Sequence, residues 1–529
     1  MLYRPAMKTA KVLGLVAMCL LAAACGGGGG GEGEGAPAPG GEQPGPGAPT
    51  VGEFTFEAKP TAVVHPAGGS IEVKVAGASG VTYEIEGLPA GITMKEHSDA
   101  SIALAFASPA PAFGDHPVKV RAKSGSKVLE ASVLLVVADE PGKLDESFAT
   151  KGLVAGVTTL LAGKIAIDSE GRVLVGGIEK TGKAFVSRHG KEGGLDKTFG
   201  VDGNALFSLD QAQTGGIYSV TATKDGSVIA VGVSSAPNFK TNPCVAKLDP
   251  SGKLDGGFGT GGVACFAALP LLGDIAHLED VVVTADGTIY AAGTAGDTLA
   301  RDTFVMKLTP KGELATGFGI SGISRFSTPK YEEMTKMAID GQGRVLVAGI
   351  FVDVNANISK PFVLRFTTDG APDPWFGSSG MALGDAGPTG CSGVGGIAVA
   401  PNDDVFVVGD FASHGGLFAF EHEKGGPLTT FAPTGAVTLP VSNGSRLRGL
   451  AWDEGKLVAT GSSAVTNVAT PHALRVGLDG KLDTTFGKAG IASLPGSDLV
   501  AQQVVIAPSS RAVVLFADGP AYVLARAWR

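Results

Sequence analysis

The chain has 529 residues, of which 81 are glycine, about 15% against an ordinary usage of about 7%. Charged residues make up 18% and hydrophobic residues 44%, so most of the chain can bury a core and general disorder is excluded. The formal net charge of −9 and the lack of a basic stretch argue against nucleic acid as a partner. No Gly-X-Y period occurs, which excludes collagen. The dispersed glycines therefore indicate many tight turns between short strands.

The N-terminus has the features of an export signal. Three basic residues precede an apolar run from Val12 to Ala24, which is too short to span a membrane and is typical of a signal peptide. The run ends at Leu-Ala-Ala-Ala-Cys, residues 21–25, which resembles the lipobox of bacterial lipoproteins. Ala22 departs from that family, which prefers leucine at this position. The resemblance implies a signal peptide over residues 1–24 and a lipid on Cys25; plain secretory cleavage is the alternative.

A glycine- and proline-rich tract follows Cys25 and extends to residue 50. Because it has almost no apolar side chains, it cannot bury a core, and we expect a disordered tether. By resemblance to the enterobacterial sorting rule, Gly26 after the cysteine implies delivery to the outer membrane. We therefore expect a protein at the outer membrane or cell surface that contacts the membrane only through its lipid, whether the chain starts at Met1 or Met7.

Residues 51–140 alternate apolar and polar side chains with the period of two that is typical of β-strands. Ile71, Val73 and Val75 show this pattern, and about six or seven such strands predict a β-sandwich. The stretch Gly-Leu-Pro-Ala-Gly-Ile at residues 87–92 resembles a motif of bacterial Ig-like surface domains, which implies an Ig-like sandwich. We interpret this domain as a spacer; a ligand-binding domain is the alternative.

Two short patterns recur and alternate through residues 141–529. The first is an apolar strand that ends in glycine, as in Gly226-Ser-Val-Ile-Ala-Val-Gly232, and its last copy ends in Ala517. The second is Leu-Asp-x-x-Phe-Gly, with looser copies. Successive closing positions are 52–61 residues apart. The closing glycines are Gly177, Gly232, Gly293, Gly349, Gly409 and Gly461, and the motif phenylalanines are Phe148, Phe199, Phe258, Phe318, Phe376, Phe431 and Phe486.

The offset between the two patterns predicts a closed ring. Each unit holds about four strands, too few to bury both faces of a sheet unless neighbouring units stack around an axis. Residues 142–156 supply the fourth strand that the last unit lacks, since its third strand is expected at residues 522–525. Six complete units and one split unit predict an all-β fold: a seven-bladed β-propeller of four-stranded blades, closed by both ends of the domain.

These patterns, together with Asp-Gly turns and Val-x-Arg/Lys-Leu strands, resemble the bacterial delta-60 repeat family over residues 142–529. The resemblance implies a propeller and little chemistry. Pairs such as Asp225-Gly226 are expected in type I′ turns with positive φ. We expect the motif phenylalanines to wedge between blades. We expect the motif aspartates to cap turns, since the spacing of a calcium loop is absent.

The sequence has no recognised catalytic, phosphate-binding or zinc-protease motif, so we predict no catalytic residue, metal or cofactor. The densest polar cluster, residues 414–423, suits a metal poorly because neighbouring side chains of a strand point in opposite directions. The glycines of residues 390–396 are interpreted as a flexible loop and not a phosphate loop. The acidic pairs Glu279-Asp280 and Glu332-Glu333 are interpreted as solvated charges in loops between blades, with acid–base groups as the alternative.

Three cysteines remain after the lipidation motif. Cys244 and Cys265 begin and end a predicted hairpin of the second unit, so they are expected to lie opposite each other. In an oxidising compartment they would bridge; two free thiols are the alternative. Cys391 would then be unpaired and buried. No CxxC pair occurs, which excludes a zinc ribbon.

Two functional hypotheses follow. The first is a surface-displayed binding or scaffold propeller, not an enzyme, which holds a protein or glycan ligand on its loops. The second is an extracellular enzyme, a lyase or hydrolase acting on a polymer. It needs polar residues that converge on the central channel, and the sequence shows no such cluster. The loops expected to bind are Val233–Pro243, Thr294–Thr303 and Phe351–Pro361.

Overall fold

A computed structural model describes residues 54–529, except 211–213, 236–239, 268, 297–300, 354–355, 357, 388–389, 412–413, 442–445, 466–467, 497–498 and 519–520. The predicted signal peptide, Cys25 and the whole of the predicted tether lie outside these residues. The described residues form strands and no helix, which confirms the all-β prediction. Accordingly, they contain no helix long and apolar enough to cross a membrane.

The N-terminal domain is a β-sandwich of eight strands, one more than the largest number expected. One layer has the order β4-β7-β8-β2, and the other holds β1, β3, β6 and β5; the short β2–β3 hairpin links them. Val64, Ile71, Val120 and Leu135 are fully buried in one core shared by both layers. The strands are β1 (Thr55–Ala58), β2 (Thr61–His65), β3 (Gly68–Ala76), β4 (Thr82–Glu86), β5 (Ile92–His97), β6 (Ser101–Phe106), β7 (Gly114–Ser124) and β8 (Lys127–Val137).

The remaining strands form seven antiparallel blades of four strands each, as predicted. The first blade contains β9 (Leu153–Ile167), β10 (Val173–Glu179), β11 (Ala184–His189) and β12 (Asn204–Phe207). The second contains β13 (Gly215–Ala222), β14 (Val228–Ser235), β15 (Thr241–Leu248) and β16 (Val263–Cys265). The third contains β17 (Ala276–Val283), β18 (Ile289–Gly296), β19 (Arg301–Leu308) and β20 (Ile323–Phe326).

The other four blades repeat the same order. The fourth contains β21 (Tyr331–Ile339), β22 (Val345–Asp353), β23 (Ile358–Phe366) and β24 (Met381–Leu383). The fifth contains β25 (Cys391–Val399), β26 (Val405–Phe411), β27 (His414–Phe420) and β28 (Ala436–Thr438). The sixth contains β29 (Arg446–Asp453), β30 (Lys456–Val465), β31 (Val468–Gly477) and β32 (Ile491–Ser493). The seventh contains β33 (Val500–Ala507), β34 (Arg511–Asp518) and β35 (Ala521–Trp528).

Strand β9 closes the ring because it belongs to two blades. Its first half pairs with β35, with Leu153 opposite Ala525, and so completes the seventh blade. Its second half pairs with β10, with Ile167 opposite Val173, and begins the first blade. The prediction that both ends of the domain close the propeller is confirmed. The closing strand begins later than residue 142, since the residues before it form a copy of the phenylalanine motif.

The predicted type I′ turns are wrong in one respect, which the turn at Asp225-Gly226 shows. Gly226 has a φ of +82°, but Asp225 does not have a positive φ. Gly226 N–H donates to Thr223 O, and Thr223 N–H donates to Ser227 O. The hairpin loop is therefore longer than the two-residue loop of a type I′ turn, and it ends in one left-handed residue, Gly226. Asp225 caps this turn by accepting the N–H of Ser227 at 3.2 Å.

The closing glycines face a β-bulge in the first strand of each blade. In the second blade Gly232 lies opposite Ile217, and the register shifts before Ser219. A Cβ on Gly232 would lie 1.9 Å from Gly216 O, far inside any real contact. At all six closing glycines the corresponding distance to a facing carbonyl oxygen is 1.9–2.7 Å. Glycine recurs here because the bulged strand leaves no room for a side chain.

The motif phenylalanines are buried between blades. All seven are at most 2% exposed. Arg188, from the third strand of the first blade, lies 4.6 Å above the Phe199 ring and bonds Asp196 of the same motif at 2.8 Å. A Cβ on Gly252 of the second blade would lie 3.0 Å from that ring. Each motif therefore joins its own blade to the next.

Candidate functional site in the central channel

The first strands of the seven blades surround a channel with two cavities. We call the side where these strands begin the upper side. The upper cavity has a volume of about 460 Å³, and residues of all seven blades line it: Leu161, Ala162, Gly163, Lys164, Tyr218, Glu279, Thr335, Lys336, Val394, Gly395, Arg448, Gln502 and Gln503. The lower cavity, of about 390 Å³, is lined largely by apolar residues such as Ile165, Val220 and Val504. Lys336 and Gln503 line both cavities, so they lie at the junction.

Lys164 extends from the first blade to the opposite side of the channel. Its Nζ donates to Glu279 O at 2.7 Å and to Thr335 O at 2.5 Å. The same atom lies 3.5 Å from Asp280 Oδ1. Lys164 therefore connects the first blade to the third and fourth through two carbonyl groups and one carboxylate.

Asp280 is buried beside this lysine, with both carboxylate oxygens engaged. Oδ1 accepts from Ser219 Oγ at 2.7 Å, and Oδ2 accepts from Met337 N–H at 2.9 Å. Burial raises the pKa of Asp280, but Lys164, Lys336 and the two hydrogen bonds outweigh it, so the pKa lies below its usual value. Asp280 is therefore a fixed negative charge within the channel wall.

Lys336 has a different environment from Lys164. Burial lowers the pKa of Lys336 to about 7; Asp280 opposes this change and Lys164 adds to it. Among the residues with described positions, no hydrogen-bond acceptor is within reach of its ammonium group. Lys336 can therefore gain or lose a proton near neutral pH, and its charge has no direct partner.

Arg448 of the sixth blade packs against glycines of the fifth. Its Nη1 lies 3.3 Å from Asp410 Oδ2, and a Cβ on Gly395 would lie 2.4 Å from Arg448 Cα. The interpretation of residues 390–396 as a flexible loop is wrong from Cys391 onward, because this segment is strand β25. Its glycines allow the backbone of the neighbouring first strand to approach.

The acidic pair Glu279-Asp280 was predicted to lie in a loop. It lies instead on strand β17. Glu279 Oε1 lies 3.0 Å from His277 Nε2, and that nitrogen also lies 3.0 Å from Thr294 Oγ1. The Tyr218 ring stands at 90° to the His277 ring, with 6.1 Å between centroids. These side chains form the part of the channel rim contributed by the second and third blades.

The pair Glu332-Glu333 is also on a strand, β21, and the prediction of solvated loop charges is wrong for both pairs. Glu332 is fully buried, and one of its oxygens accepts from the Thr328 hydroxyl, while Oε2 has no partner. Burial raises the pKa of Glu332 to about 7, with Asp302 adding to the effect. Glu333 accepts from the Tyr331 hydroxyl.

The polar cluster in the channel was not predicted, although the sequence contains a signal for it. Lys164, Asp280, Lys336 and Arg448 each stand 13 positions before the closing glycine of their repeat. At that distance the residue lies at or next to the bulge of its first strand, and all four line the channel. Charged residues that recur at a fixed offset from a structural glycine are therefore the sequence signal of this cluster.

The remaining predicted residues lie outside the channel. Cys244 is opposite Cys265 in the register of β15 and β16, and the two are joined as a disulfide. Cys391 is buried, and burial raises the pKa of its thiol to about 11. His422 of the polar cluster lies 3.0 Å from Asp404. No group of three or more His, Cys, Asp or Glu side chains that could hold a metal occurs within the described parts of the chain.

In the three segments expected to be binding loops, the described residues are mainly strand. Strand β14 continues to Ser235 and β15 begins at Thr241, and the other two hairpins are similar. The end of β14 lies on the upper side, since β13 begins opposite it. Residues 236–239, 297–300, 354–355 and 357 of these segments lie outside the described residues.

Comparisons with known proteins found one family match and several similar solved structures. A family described as a domain of unknown function (DUF5122) beta-propeller matches residues 343–376. No curated protein matches the chain. Drosophila Semaphorin 2a has 7% identity and a TM-score of 0.41, covering 73% of this chain and 76% of that one. A Lactobacillus plantarum protein has 11% identity and a TM-score of 0.37, covering 73% of this chain and 97% of that one. A protein described as a glucose dehydrogenase has 14% identity and a TM-score of 0.33, covering 70% of this chain and 98% of that one.

Proposed function

We propose that the protein is a cell-envelope lipoprotein that displays a ligand-binding propeller at the bacterial surface, with the ligand held in the upper cavity. The observation that carries this proposal is the convergence of polar side chains from different blades on one open cavity. A cavity of this size, with apolar walls and a few polar groups, suits a small ligand or one residue of a larger one.

The position of the sandwich supports display. Arg511, at the lower end of the seventh blade, lies 2.7 Å from Asp115 of the sandwich. Trp528, paired with Arg511 in the sheet, packs against Val136 and Ala138 beside the sandwich. The sandwich therefore contacts the lower side of the propeller, and the upper cavity opens on the other side. A tether and lipid before the sandwich would leave that opening free.

An array of glycans and proteins probed with the purified protein tests the binding function. We expect one ligand class to be retained, and the Gln502→Trp variant to lose it because the indole fills the upper cavity. Lys311→Trp, on an exposed turn away from the channel, is the matched control and should bind normally. Retention of the ligand by Gln502→Trp would contradict a site in this cavity.

Incorporation of labelled palmitate in cells tests the lipid anchor. The wild-type chain should be labelled and should sediment with the outer membrane. Cys25→Ser should lose both the label and the sedimentation, with the same propeller present in the soluble fraction. An unlabelled wild-type chain would support plain secretion instead.

A second candidate function is the extracellular enzyme, and Lys336 is the observation in its favour. An amine with a pKa of about 7 can transfer protons at neutral pH. Against it, Asp280 is occupied by Ser219, Met337 and Lys164. New chain ends released from acidic or neutral polysaccharides, and lost in Lys336→Met, would establish the enzyme; unchanged polymers would leave the binding function.

A further inference from the structure

Three side chains that line the upper cavity are basic, on Lys164, Lys336 and Arg448, and one, on Glu279, is a carboxylate. Glu279 lies 3.0 Å from His277. Asp280, 3.5 Å from Lys164, and Asp410, 3.3 Å from Arg448, offset two of the basic groups. Lys336 is therefore the basic group of this cavity that a negatively charged ligand would complement.

Lys336 differs from the other two cations because its charge is not satisfied by the protein. Lys164 donates to two carbonyl oxygens, and Arg448 lies 3.3 Å from Asp410. Across the described residues, Lys336 Nζ has no acceptor within hydrogen-bond distance, although it lies where the two cavities meet. Because Lys336 is only partly buried and lines both cavities, a ligand oxygen can accept from its ammonium group without displacing a partner within the protein.

We propose that the upper cavity recognises a carboxylate on its ligand, which accepts hydrogen bonds from Lys336 at the base of the cavity. This inference rests on the binding function proposed above and names the chemical class of the ligand. An acidic sugar or a small organic acid has the required group and the size to enter a cavity of about 460 Å³.

The proposal predicts that binding depends on pH. The carboxylate favours the protonated form of Lys336, which in the free protein loses its proton near pH 7. Affinity should therefore be constant below about pH 7 and fall by about tenfold per pH unit above it, with one proton taken up on binding. The other titratable groups that face this position are Lys164 on β9, Tyr218 on β13, Glu279 and Asp280 on β17, and Arg448 on β29.

Isothermal titration calorimetry with matched probes tests the proposal on the purified protein. The probes are D-glucuronate against D-glucose, succinate against succinamide, and acetate against acetamide, each at pH 6, 7 and 8. At least one carboxylate should bind about tenfold or more tightly than its neutral partner. Lys336→Met should remove that difference, and Lys311→Met, on an exposed turn, should keep it.

The outcomes separate this inference from the binding function itself. The inference is overturned if the charged and neutral probes bind equally, or if no carboxylate binds. The proposed binding function still stands in that case if a ligand found on the array is lost in Gln502→Trp. A carboxylate preference that Lys336→Met does not change overturns the role of Lys336. If that variant does not fold, Lys336→Gln and the pH profile of the wild-type protein decide, since a flat profile contradicts the proposal.

Discussion

Asp145 Oδ2 lies 2.7 Å from Arg526 Nη2, at the place where the two ends of the propeller domain meet. Asp145 precedes the first blade, and Arg526 is on β35, the third strand of the last blade. The same oxygen lies 2.7 Å from Arg511 Nε, and Arg511 also contacts Asp115 of the sandwich. One fully buried carboxylate thus joins the closing segment to two strands of the seventh blade and, through Arg511, to the neighbouring domain.

We expect Asp145→Asn to destabilise the propeller by roughly 3–5 kcal/mol, because it leaves two buried guanidinium groups without their carboxylate. The matched control is Asp255→Asn, at the same motif position of the second blade. There the carboxylate is 34% exposed and pairs with Lys247, so the loss should be below about 1 kcal/mol. Denaturant unfolding at pH 7 measures both, and equal losses would contradict a special role for Asp145.

The same site predicts a loss of stability in acid. Burial raises the pKa of Asp145, but Arg526, Ser147 and Arg511 outweigh burial, so the folded-state pKa lies below the usual value. The carboxylate therefore contributes stability that is fully present above its unfolded-state pKa of about 4 and is lost as the pH falls through the lower folded-state value. Unfolding measured between pH 7 and pH 2 should show this decrease in the wild-type protein and a smaller one in Asp145→Asn.

The closing glycines predict a sharp contrast between two alanine substitutions in the second blade. Gly232→Ala places a Cβ 1.9 Å from Gly216 O and should destabilise the protein by about 1–3 kcal/mol or more. Gly256→Ala meets nothing within 4 Å and should change stability by less than about 0.5 kcal/mol. Thermal unfolding of the two variants checks this; a tolerated Gly232→Ala would show that the bulged strand can move away.

Two neighbouring aromatic residues allow the wedge between blades to be tested. The Phe376 ring is fully buried under Arg365, at 4.2 Å, whereas Trp375 is 78% exposed. Phe376→Ala should cost about 3–5 kcal/mol, and Trp375→Ala should cost little although it removes a larger side chain. If Phe376→Ala melts at the wild-type temperature, the motif phenylalanines do not hold the blades together.

Repetition explains why the fold could be predicted and the site only in part. The closing glycines and motif phenylalanines recur because each makes the same packing contacts in its blade, so their spacing predicted the seven blades and the closure of the ring. The channel residues do not recur in this way. Lys164, Asp280 and Lys336 differ in chemistry from blade to blade and become one cluster only when the ring closes. A search for local motifs passes over them. The pair Glu279-Asp280, expected in a loop, lies on strand β17, whose register shifts between Leu278 and Asp280.

The three described cysteines should react differently. Proteolysis without reductant should release the Cys244 and Cys265 peptides as one linked species, since the two residues lie opposite each other in neighbouring strands. Cys391 should resist alkylation in the folded protein, because it is buried and its thiol pKa is about 11, and should react after denaturation. Alkylation of Cys244 or Cys265 without a reductant would show that the bridge is absent.

Glu332 predicts a pH dependence of the opposite sign to that of Asp145. Burial raises the pKa of Glu332 to about 7, above an unfolded-state value of about 4.5, so the folded protein binds the proton more tightly. Its contribution is therefore constant below about pH 4.5, and stability decreases as the pH rises from there to about 7, by on the order of 3 kcal/mol. Glu332→Gln keeps an uncharged side chain of the same shape and should be more stable than wild type above pH 7 and similar at pH 4.5. Denaturant unfolding across this pH range measures the difference in stability between the two proteins. Glu333→Gln is the control, because the Glu333 side chain is 42% exposed. Parallel curves of stability against pH for wild type and Glu332→Gln would show that Glu332 is ionised in the folded protein at little cost.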